Sequence, residues 1–228
     1  MKLLFVCDPL DHFKIYKDTT FAMMREASRR GHVLWACTSA DLVWQRRGVV
    51  QALAARRILL TGDGEAWFDV AETRGVALRD FGGSRGAVLM RKDPPFDAEY
   101  LYTTHLLTQA EREGAQVFNK PQALREHPEK LAILEFPLYI APTLVTRDMD
   151  AVRAFHAEHR DIILKPLDGM GGMGIFRVKD DGLNLGSIIE TLNRHGEQTV
   201  MVQRYLSEIV RGDKRILLID GKPVPFAL

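Results

Sequence analysis

The sequence predicts an α/β protein, because short apolar runs alternate with helix-like segments over most of its 228 residues. The first apolar run, LLFVC at 3–7, leads through a polar loop into a helical pattern that ends before Gly31. A second run, VLWACT at 33–38, follows at once, and a third, at 87–90, is stopped by prolines. This order of strand, helix and strand predicts parallel strands covered by helices.

Composition limits the classes of function. Lysine plus arginine (31) balances aspartate plus glutamate (30), so no global field would gather nucleic acid or an anionic membrane. No apolar run is long enough to cross a bilayer, and the start, MKLLFVCDP, has no signal-cleavage pattern, so we expect a cytoplasmic protein. Cys7 and Cys37 have no metal-ligand spacing, which predicts buried structural thiols.

The first half of the chain supplies two helices and a hairpin. Phe21, Met24 and Ala27 recur at helical spacing after a capping Asp18 or Thr19. Residues 41–60 are predicted to form a hairpin that turns near Gly48, with a helix through QALAARR (51–57) as the alternative. A later helix is predicted from about Ala98 to Gly114, with a strand, QVFN, at 116–119. Its buried face comprises Tyr100, Thr103, Leu107 and Ala110.

Prolines and charges at 119–130 interrupt this rhythm and predict a domain boundary. The predicted domains are 1–120, 121–200 and 201–228. The elements predicted after the boundary are a short helix at KLAILEF (130–136), strands at 143–146, 161–166, 175–179 and 199–206, helices at 148–159 and around 185–192, and a hairpin that turns at Asp220-Gly221.

The stretch KPLDGMGGMGIFRVK, at 165–179, is the strongest candidate site. Closely spaced glycines let backbone N–H groups converge on phosphate oxygens. A Walker loop or a dinucleotide fingerprint would open a helix, whereas here strand leads to strand. Lys165, Asp168 and the glycines therefore suggest a hairpin that folds over phosphates. The alternative is an ordinary glycine-rich turn beside a solvated lysine.

Other segments are candidates for the same nucleotide site. Lys130 suits a second phosphate cation, although it equally suits a surface position. The strand VQRYL could offer backbone groups to adenine, with Gln203 nearby, or be simply a central strand. GDKR, at 212–215, follows that strand and offers Asp213 as a further contact to the nucleotide. The alternative is that GDKR forms a polar turn. Arg91 follows the strand at 87–90, at the sheet edge where ligands bind in open α/β folds.

These motifs together resemble the prokaryotic glutathione synthetases, which are ATP-grasp ligases. The match is collinear from the first strand to Leu228. The matching motifs are MRKDPPFD (90–97), FNKPQALR (118–125), PEK (128–130), DIILKPLDGMGG (161–172), IFRVK (175–179), QRYL (203–206), GDKR (212–215) and DGKPVP (220–225). The resemblance implies an ATP-grasp fold with an N-terminal Rossmann-like parallel-sheet domain, an α+β lid domain and the beginning of a C-terminal α+β domain.

The resemblance also implies a reaction and its residues. ATP would phosphorylate the cysteinyl carboxylate of γ-glutamylcysteine, and the glycine amine would displace the phosphate to give glutathione. Arg91 and Lys165 would be catalytic. The implied nucleotide-binding residues are Lys130, Lys165, Asp168, Gly169, Gly171, Gly172, Gly174, Gln203, Arg204, Tyr205, Leu206 and Asp213. The implied dipeptide-binding residues are Lys17, Asp18, Thr19, Thr20 and Arg91, with helix capping as the alternative for Asp18 and Thr19, and pairing with Asp93 or Asp97 as the alternative for Arg91.

Cofactors and partners follow from the same resemblance. ATP is expected with Mg²⁺ or Mn²⁺, whose ligands would lie beyond Leu228, so the 228 residues would lack part of the active site. His156 and His159 are expected on a solvated helix face rather than at a metal. A homo-oligomer, a dimer or tetramer, is also expected, with small-molecule substrates and neither nucleic acid nor membrane as a partner.

Three rival functions stay open at this point. Another ATP-grasp ligase, such as a glutamate-adding or D-alanine:D-alanine enzyme, is disfavoured by MRKDPPFD. A catalytically silent ATP-binding module would bind ATP without forming an acyl phosphate. A dinucleotide-dependent oxidoreductase is poorly supported, because no glycine fingerprint follows LLFVC.

Overall fold

The computed structural model describes residues 1–46, 48–62 and 64–227, which form two compact units. The first unit contains Met1–Glu135 together with Asp168–Met170. The second contains Phe136–Leu167 and the described residues from Gly171 onward. The three domains predicted from the sequence, 1–120, 121–200 and 201–228, stay a prediction.

The first unit is a sheet with helices on both faces. Its strands are β1 (Lys2–Cys7), β2 (Val33–Cys37), β3 (Leu42–Val43), β4 (Gln51–Leu60), β5 (Phe68–Ala77), β6 (Gly86–Arg91) and β7 (Val117–Phe118). Its helices are α1 (Thr19–Arg29), α2 (Ala98–Arg112) and α3 (Pro121–Glu126). The sheet order is β3-β4-β2-β1-β6-β7, and β5 pairs with β4. The predicted parallel arrangement is confirmed, since β1 is parallel to both β2 and β6.

Alternating side chains of β1 enter two cores. Leu4 and Val6 pack in the core that contains Leu107 of α2, whereas Phe5 packs in the core that contains Met24 of α1. The helix faces predicted from the spacing of apolar residues are buried in both helices. This sandwich fixes where the ends of β1 and β6 lie, and the polar residues that follow those ends.

The structure of the described residues within 41–60 confirms the predicted hairpin and excludes the alternative helix. The hairpin near Gly48 is confirmed, because Leu42 of β3 pairs with Ala52 of β4 in antiparallel register. The alternative helix through 51–57 is wrong. Although that segment is rich in alanine, it pairs with β3 and β2 along one edge and with β5 along the other. Strand β5 was not predicted, because its exposed, polar sequence shows no alternating pattern.

The second unit is a four-stranded antiparallel sheet with two helices and a separate hairpin. Its strands are β8 (Thr143–Thr146), β9 (Ile162–Pro166), β10 (Phe176–Val178), β11 (Val200–Arg204), β12 (Ile216–Ile219) and β13 (Lys222–Ala227). Its helices are α4 (Met149–His159) and α5 (Leu185–Asn193). The sheet order is β10-β9-β11-β8, and β12 pairs only with β13 among the described strands. The predicted turn at Asp220-Gly221 is confirmed, and both residues have positive φ angles.

Two local predictions for residues 130–159 are corrected. The short helix predicted at KLAILEF (130–136) forms only as the 3-10 helix Ala132–Glu135, and the exposure predicted for His156 is wrong. His156 does not lie on a solvated face, since it is 8% exposed and its Nε2 lies 2.7 Å from the carbonyl oxygen of Lys179. His159 packs edge-on against Phe155 at 4.3 Å between ring centroids. Tertiary contacts therefore cover two histidines whose spacing suggested exposure.

None of the helices in the described ranges combines the length and the apolar character that a bilayer crossing requires.

Both cysteines are free and buried, as predicted. Burial, with a smaller contribution from nearby Asp8, raises the pKa of the Cys7 thiol to about 12, and burial likewise raises the pKa of Cys37. Alkylation requires the thiolate. We expect N-ethylmaleimide to label neither cysteine of the folded chain at mildly alkaline pH, and to label both in guanidinium chloride, as counted by mass spectrometry. Rapid labelling of the folded chain would contradict this burial.

Candidate functional site

The first candidate site lies where the strand order of the parallel sheet reverses. The chain runs from β1 to β2 on one side of β1 and later returns to β6 on the other. Cys7, at the end of β1, is the register partner of Arg91, at the end of β6. In open α/β sheets the crevice at this reversal is where ligands bind. Topology therefore places Arg91 at this crevice.

Arg91 is held by the first turn of α1. Its Nε donates to the hydroxyl of Thr20 at 3.0 Å, and a second guanidinium nitrogen donates to the hydroxyl of Thr19 at 2.8 Å. These bonds replace the pairing with Asp93 or Asp97 that was the alternative for Arg91; Asp97 instead caps α2 by accepting from the N–H of Tyr100. The neutral hydroxyls orient the guanidinium without neutralising its charge, which leaves it suited to an anionic ligand.

Residues 17–20 have distinct local roles. Asp18 is the N-cap of α1, since its carboxylate accepts from the N–H of Phe21 at 2.9 Å. Capping, the alternative for Asp18, is therefore confirmed, whereas Thr19 lies inside the helix. Lys17 is exposed and its Nζ lies 5.7 Å from the ring centroid of Tyr16, outside the lining of the Arg91 cavity.

A polar cavity of about 240 Å³ surrounds this end of the sheet. Its lining includes Asp8, His12, Asp18, Thr20, Arg91 and Asp93. Asp8 accepts a 2.7 Å hydrogen bond from the N–H of Asp93 and lies 3.5 Å from the ammonium of Lys92. Desolvation, followed by repulsion from Asp8 and Asp18, raises the pKa of Asp93. The cavity thus combines one guanidinium with several carboxylates, which suits a ligand that carries both charges.

Sequence reasoning missed Asp8 as a member of this cavity. Its signal was available, because Asp8 directly follows the buried strand β1 and must emerge at the same sheet edge as Arg91. Asp93 was noted beside Arg91 only as an alternative ion-pair partner.

The second candidate site is the glycine loop between β9 and β10. The two strands are antiparallel, with Leu164 opposite Phe176, so the predicted strand-to-strand connection is confirmed. Gly171, Gly172 and Gly174 all have φ angles between +64° and +80°. A Cβ on Gly174 would also lie 3.2 Å from the ring of Pro166. The loop conformation therefore requires glycine, and it leaves its backbone close to any ligand that it covers.

Two predicted phosphate cations have defined positions. Lys165 is half-buried on β9, opposite Met201 of β11. Lys130 precedes the 3-10 turn at Ala132–Glu135, and its ammonium donates to the carbonyl oxygen of Gly169, which belongs to the same unit. Asp168 is exposed, and its carbonyl accepts from the N–H of Phe96 within that unit.

The segment Gln203–Leu206 begins inside a sheet and ends outside it. β11 is a central strand, in which Gln203 pairs with both Ile163 and Thr143. This confirms the alternative interpretation of the segment as a central strand. The N–H of Arg204 donates to the carbonyl of Pro142, and that of Tyr205 to the carbonyl of Asp161. The N–H of Leu206 forms no hydrogen bond within the described part of the chain. A backbone donor is thus available one residue past the sheet.

Asp213 is exposed in the irregular segment before β12. Among residues 1–46, 48–62 and 64–227, no group of three or more His, Cys, Asp or Glu side chains is close enough to hold a metal ion. The described residues therefore do not fit a protein-held magnesium site by themselves.

Solved structures share this architecture. D-cycloserine synthetase DcsG matches with a TM-score of 0.64 at 18% identity, over 98% of this chain and 66% of that one. D-alanyl-alanine synthetase A from Vibrio cholerae matches with a TM-score of 0.57 at 13% identity, over 98% and 65%. The ATP-grasp ligase PsnB, solved with a precursor, Mg and ADP, matches with a TM-score of 0.54 at 22% identity, over 97% and 69%. The fold is that of the ATP-grasp ligases.

Sequence comparison gives the family within this class. Residues 1–125 match the N-terminal domain of prokaryotic glutathione synthetase, and residues 129–228 match its ATP-grasp domain. The whole chain is 57% identical to the glutathione synthetase of Ralstonia nicotianae and 52% identical to that of Nitrosomonas europaea. It spans 68% and 70% of their lengths. The chain belongs to the prokaryotic glutathione synthetase family.

Proposed function

We propose that this chain supplies the dipeptide site and much of the nucleotide site of a glutathione synthetase, which joins glycine to γ-glutamylcysteine at the expense of ATP. The observation that carries the proposal is Arg91, held by two threonine hydroxyls in a carboxylate-lined cavity at the sheet reversal. γ-Glutamylcysteine carries carboxylates and an ammonium, so a cavity with both charges complements it. Membership of the glutathione synthetase family supports this dipeptide over other amino-acid substrates.

The proposed nucleotide site uses four features of the chain. The glycine loop would cover the phosphates with its backbone N–H groups, while Lys165 and Lys130 would supply positive charge. The N–H of Leu206, which has no partner among the described residues, would donate to adenine, with the side chain of Gln203 nearby. Gln203 Nε2 donates to the hydroxyl of Thr143 at 2.9 Å, which fixes the orientation of its amide. Arg204, Tyr205, Asp168 and Asp213 are proposed as flanking contacts.

The proposed reaction has two steps. A cysteinyl carboxylate oxygen of the dipeptide takes the γ-phosphoryl group of ATP, which releases ADP and leaves an acyl phosphate. The glycine amine then attacks the carbonyl carbon, phosphate departs, and the amine loses a proton to give the amide. Phosphoryl transfer depends on positioning and charge neutralisation more than on a protein nucleophile. Arg91 would hold the dipeptide, and Lys165 would stabilise charge on the transferred phosphoryl group.

Magnesium is proposed to enter with ATP, whose phosphates need a divalent ion. A cytoplasmic setting is supported by the two free thiols, which suit a reducing compartment. A homo-oligomer, dimer or tetramer, is proposed from family membership alone.

The experiment that tests this function separates binding from chemistry. Calorimetry with ADP and with γ-glutamylcysteine measures binding by the 228-residue chain. Catalysis is measured with the chain fused to the carboxyl-terminal segment of the Ralstonia relative, by following phosphate and glutathione with and without glycine. We expect glutathione only when glycine, ATP and the dipeptide are all present.

Two outcomes would redirect the proposal. Glycine-independent ATP consumption with D-alanine or glutamate as acceptor, in a panel of carboxylate substrates, would favour another ATP-grasp ligase. ADP binding without acyl phosphate formation in the fused chain would favour a silent nucleotide-binding module.

A further inference from the structure

Three residues of the second unit form a cluster at the point where β11 leaves the sheet. Arg177 lies on β10, Asp161 directly precedes β9, and Tyr205 directly follows β11. Arg177 donates to both carboxylate oxygens of Asp161, at 2.9 and 2.6 Å. Its guanidinium carbon lies 3.5 Å from the ring centroid of Tyr205. The N–H of Tyr205 donates to the backbone carbonyl of Asp161 at 2.8 Å.

Asp161 therefore acts on Tyr205 in two ways. Its backbone carbonyl fixes the main chain of Tyr205, and its carboxylate fixes the guanidinium that covers the ring. A planar guanidinium held at two points cannot rotate away from the ring, so the ring plane is set as well. The next backbone N–H along the chain is that of Leu206, which forms no hydrogen bond to any of the described residues. Main chain and ring are thus both fixed immediately before that donor.

We propose that Arg177 and Asp161 are positioning residues for the nucleotide: they hold Tyr205 so that the N–H of Leu206 is presented to adenine in the unliganded chain. The inference rests on the proposed function, which puts adenine against Gln203–Leu206. Neither residue contacts the nucleotide in this scheme. Their effect is to reduce the ordering that binding would otherwise require, which improves affinity.

The exposure of the cluster argues against a purely stabilising role. The side chains of Arg177 and Asp161 are 38% and 35% exposed, and ion pairs this open to solvent add little to the free energy of unfolding. The hydrogen bond from Arg177 lowers the pKa of Asp161, and the same bond raises that of Arg177. Both groups therefore keep their charges over the ordinary pH range, and the cluster is not a pH switch.

The test uses two substitutions with a matched control. Arg177→Lys keeps the charge but loses the planar, two-point grip, and Asp161→Asn keeps the backbone carbonyl but loses the carboxylate. Arg153→Lys, in α4 of the same unit, disturbs a comparable exposed pair with Asp150 at 2.8 Å. Each variant of the 228-residue chain is examined by calorimetry with ADP and by hydrogen exchange of the peptide that spans Tyr205 and Leu206, without nucleotide.

We expect Arg177→Lys and Asp161→Asn each to weaken ADP binding by about fivefold and to speed exchange in that peptide, with unchanged thermal midpoints. Arg153→Lys is expected to match the unsubstituted chain. Arg177→Lys behaving like Arg153→Lys in both measurements, while Lys165→Ala still loses affinity, would overturn the inference alone. Failure of the unsubstituted chain to bind ADP would overturn the proposed function and this inference with it.

Discussion

Arg91→Ala is expected to lower kcat/KM for γ-glutamylcysteine by about 30-fold or more, because truncating one partner of a charged, hydrogen-bonded pair at a binding site costs about 2–5 kcal/mol. Nucleotide affinity should change by no more than about twofold, since Arg91 lies at the end of β6 and is not among the residues proposed to contact the nucleotide. The measurements are kinetics of the fused chain and calorimetry of ADP binding.

Two further variants distinguish a loss of dipeptide binding from a folding defect. Arg91 donates to Thr19 and Thr20, so its loss could loosen the first turn of α1. Arg91→Lys keeps the positive charge without the forked geometry, and we expect an intermediate loss of dipeptide use. Arg29→Ala removes an exposed ion pair with Glu26 at the other end of the same helix and should leave the kinetics unchanged. Equal loss of dipeptide and nucleotide binding in Arg91→Ala would contradict its assigned role.

Lys165→Ala should weaken binding of ATP and ADP by about 10- to 100-fold, since a hydrogen bond to a charged group contributes about 1.5–3 kcal/mol. The fold should persist, because β9 keeps its register with both β10 and β11 through backbone hydrogen bonds. Calorimetry measures the affinity, and circular dichroism with a thermal melt checks the fold.

The salt dependence of nucleotide affinity gives a second test of the proposed contact between Lys165 and phosphate. A phosphate contact made by a cation weakens as ionic strength rises, so the difference between Lys165→Ala and the unsubstituted chain should shrink in high salt. Lys222→Ala, on the exposed strand β13, is the control for a general change in charge. Unchanged nucleotide affinity in Lys165→Ala would remove Lys165 from the nucleotide site.

The apolar run of β1 and the helical spacing in α1 and α2 determined most of the first unit from sequence alone. Local patterns suffice there, because each helix buries one stripe against the sheet and β1 is buried on both faces. The strand-to-strand connection of the glycine loop was likewise readable, since both flanks show β-capable runs. The strand β5 was not readable, because it is an exposed edge whose pairing with β4 depends on a partner eight or more residues away.

The features of the candidate site likewise fall into those predicted from the sequence and those seen only in the tertiary structure. Sequence alone predicted Arg91, Lys165 and the glycines as candidates, because of their residue types and their place in or beside apolar strands. Only the tertiary structure decided the contacts around the candidate residues. Thr19 and Thr20 accept hydrogen bonds from Arg91, and Asp8 and Asp93 line the cavity beside it. Arg177 and Asp161 pack around Tyr205. These contacts join residues far apart in the chain. Their existence depends on sheet order and register, which no local pattern encodes.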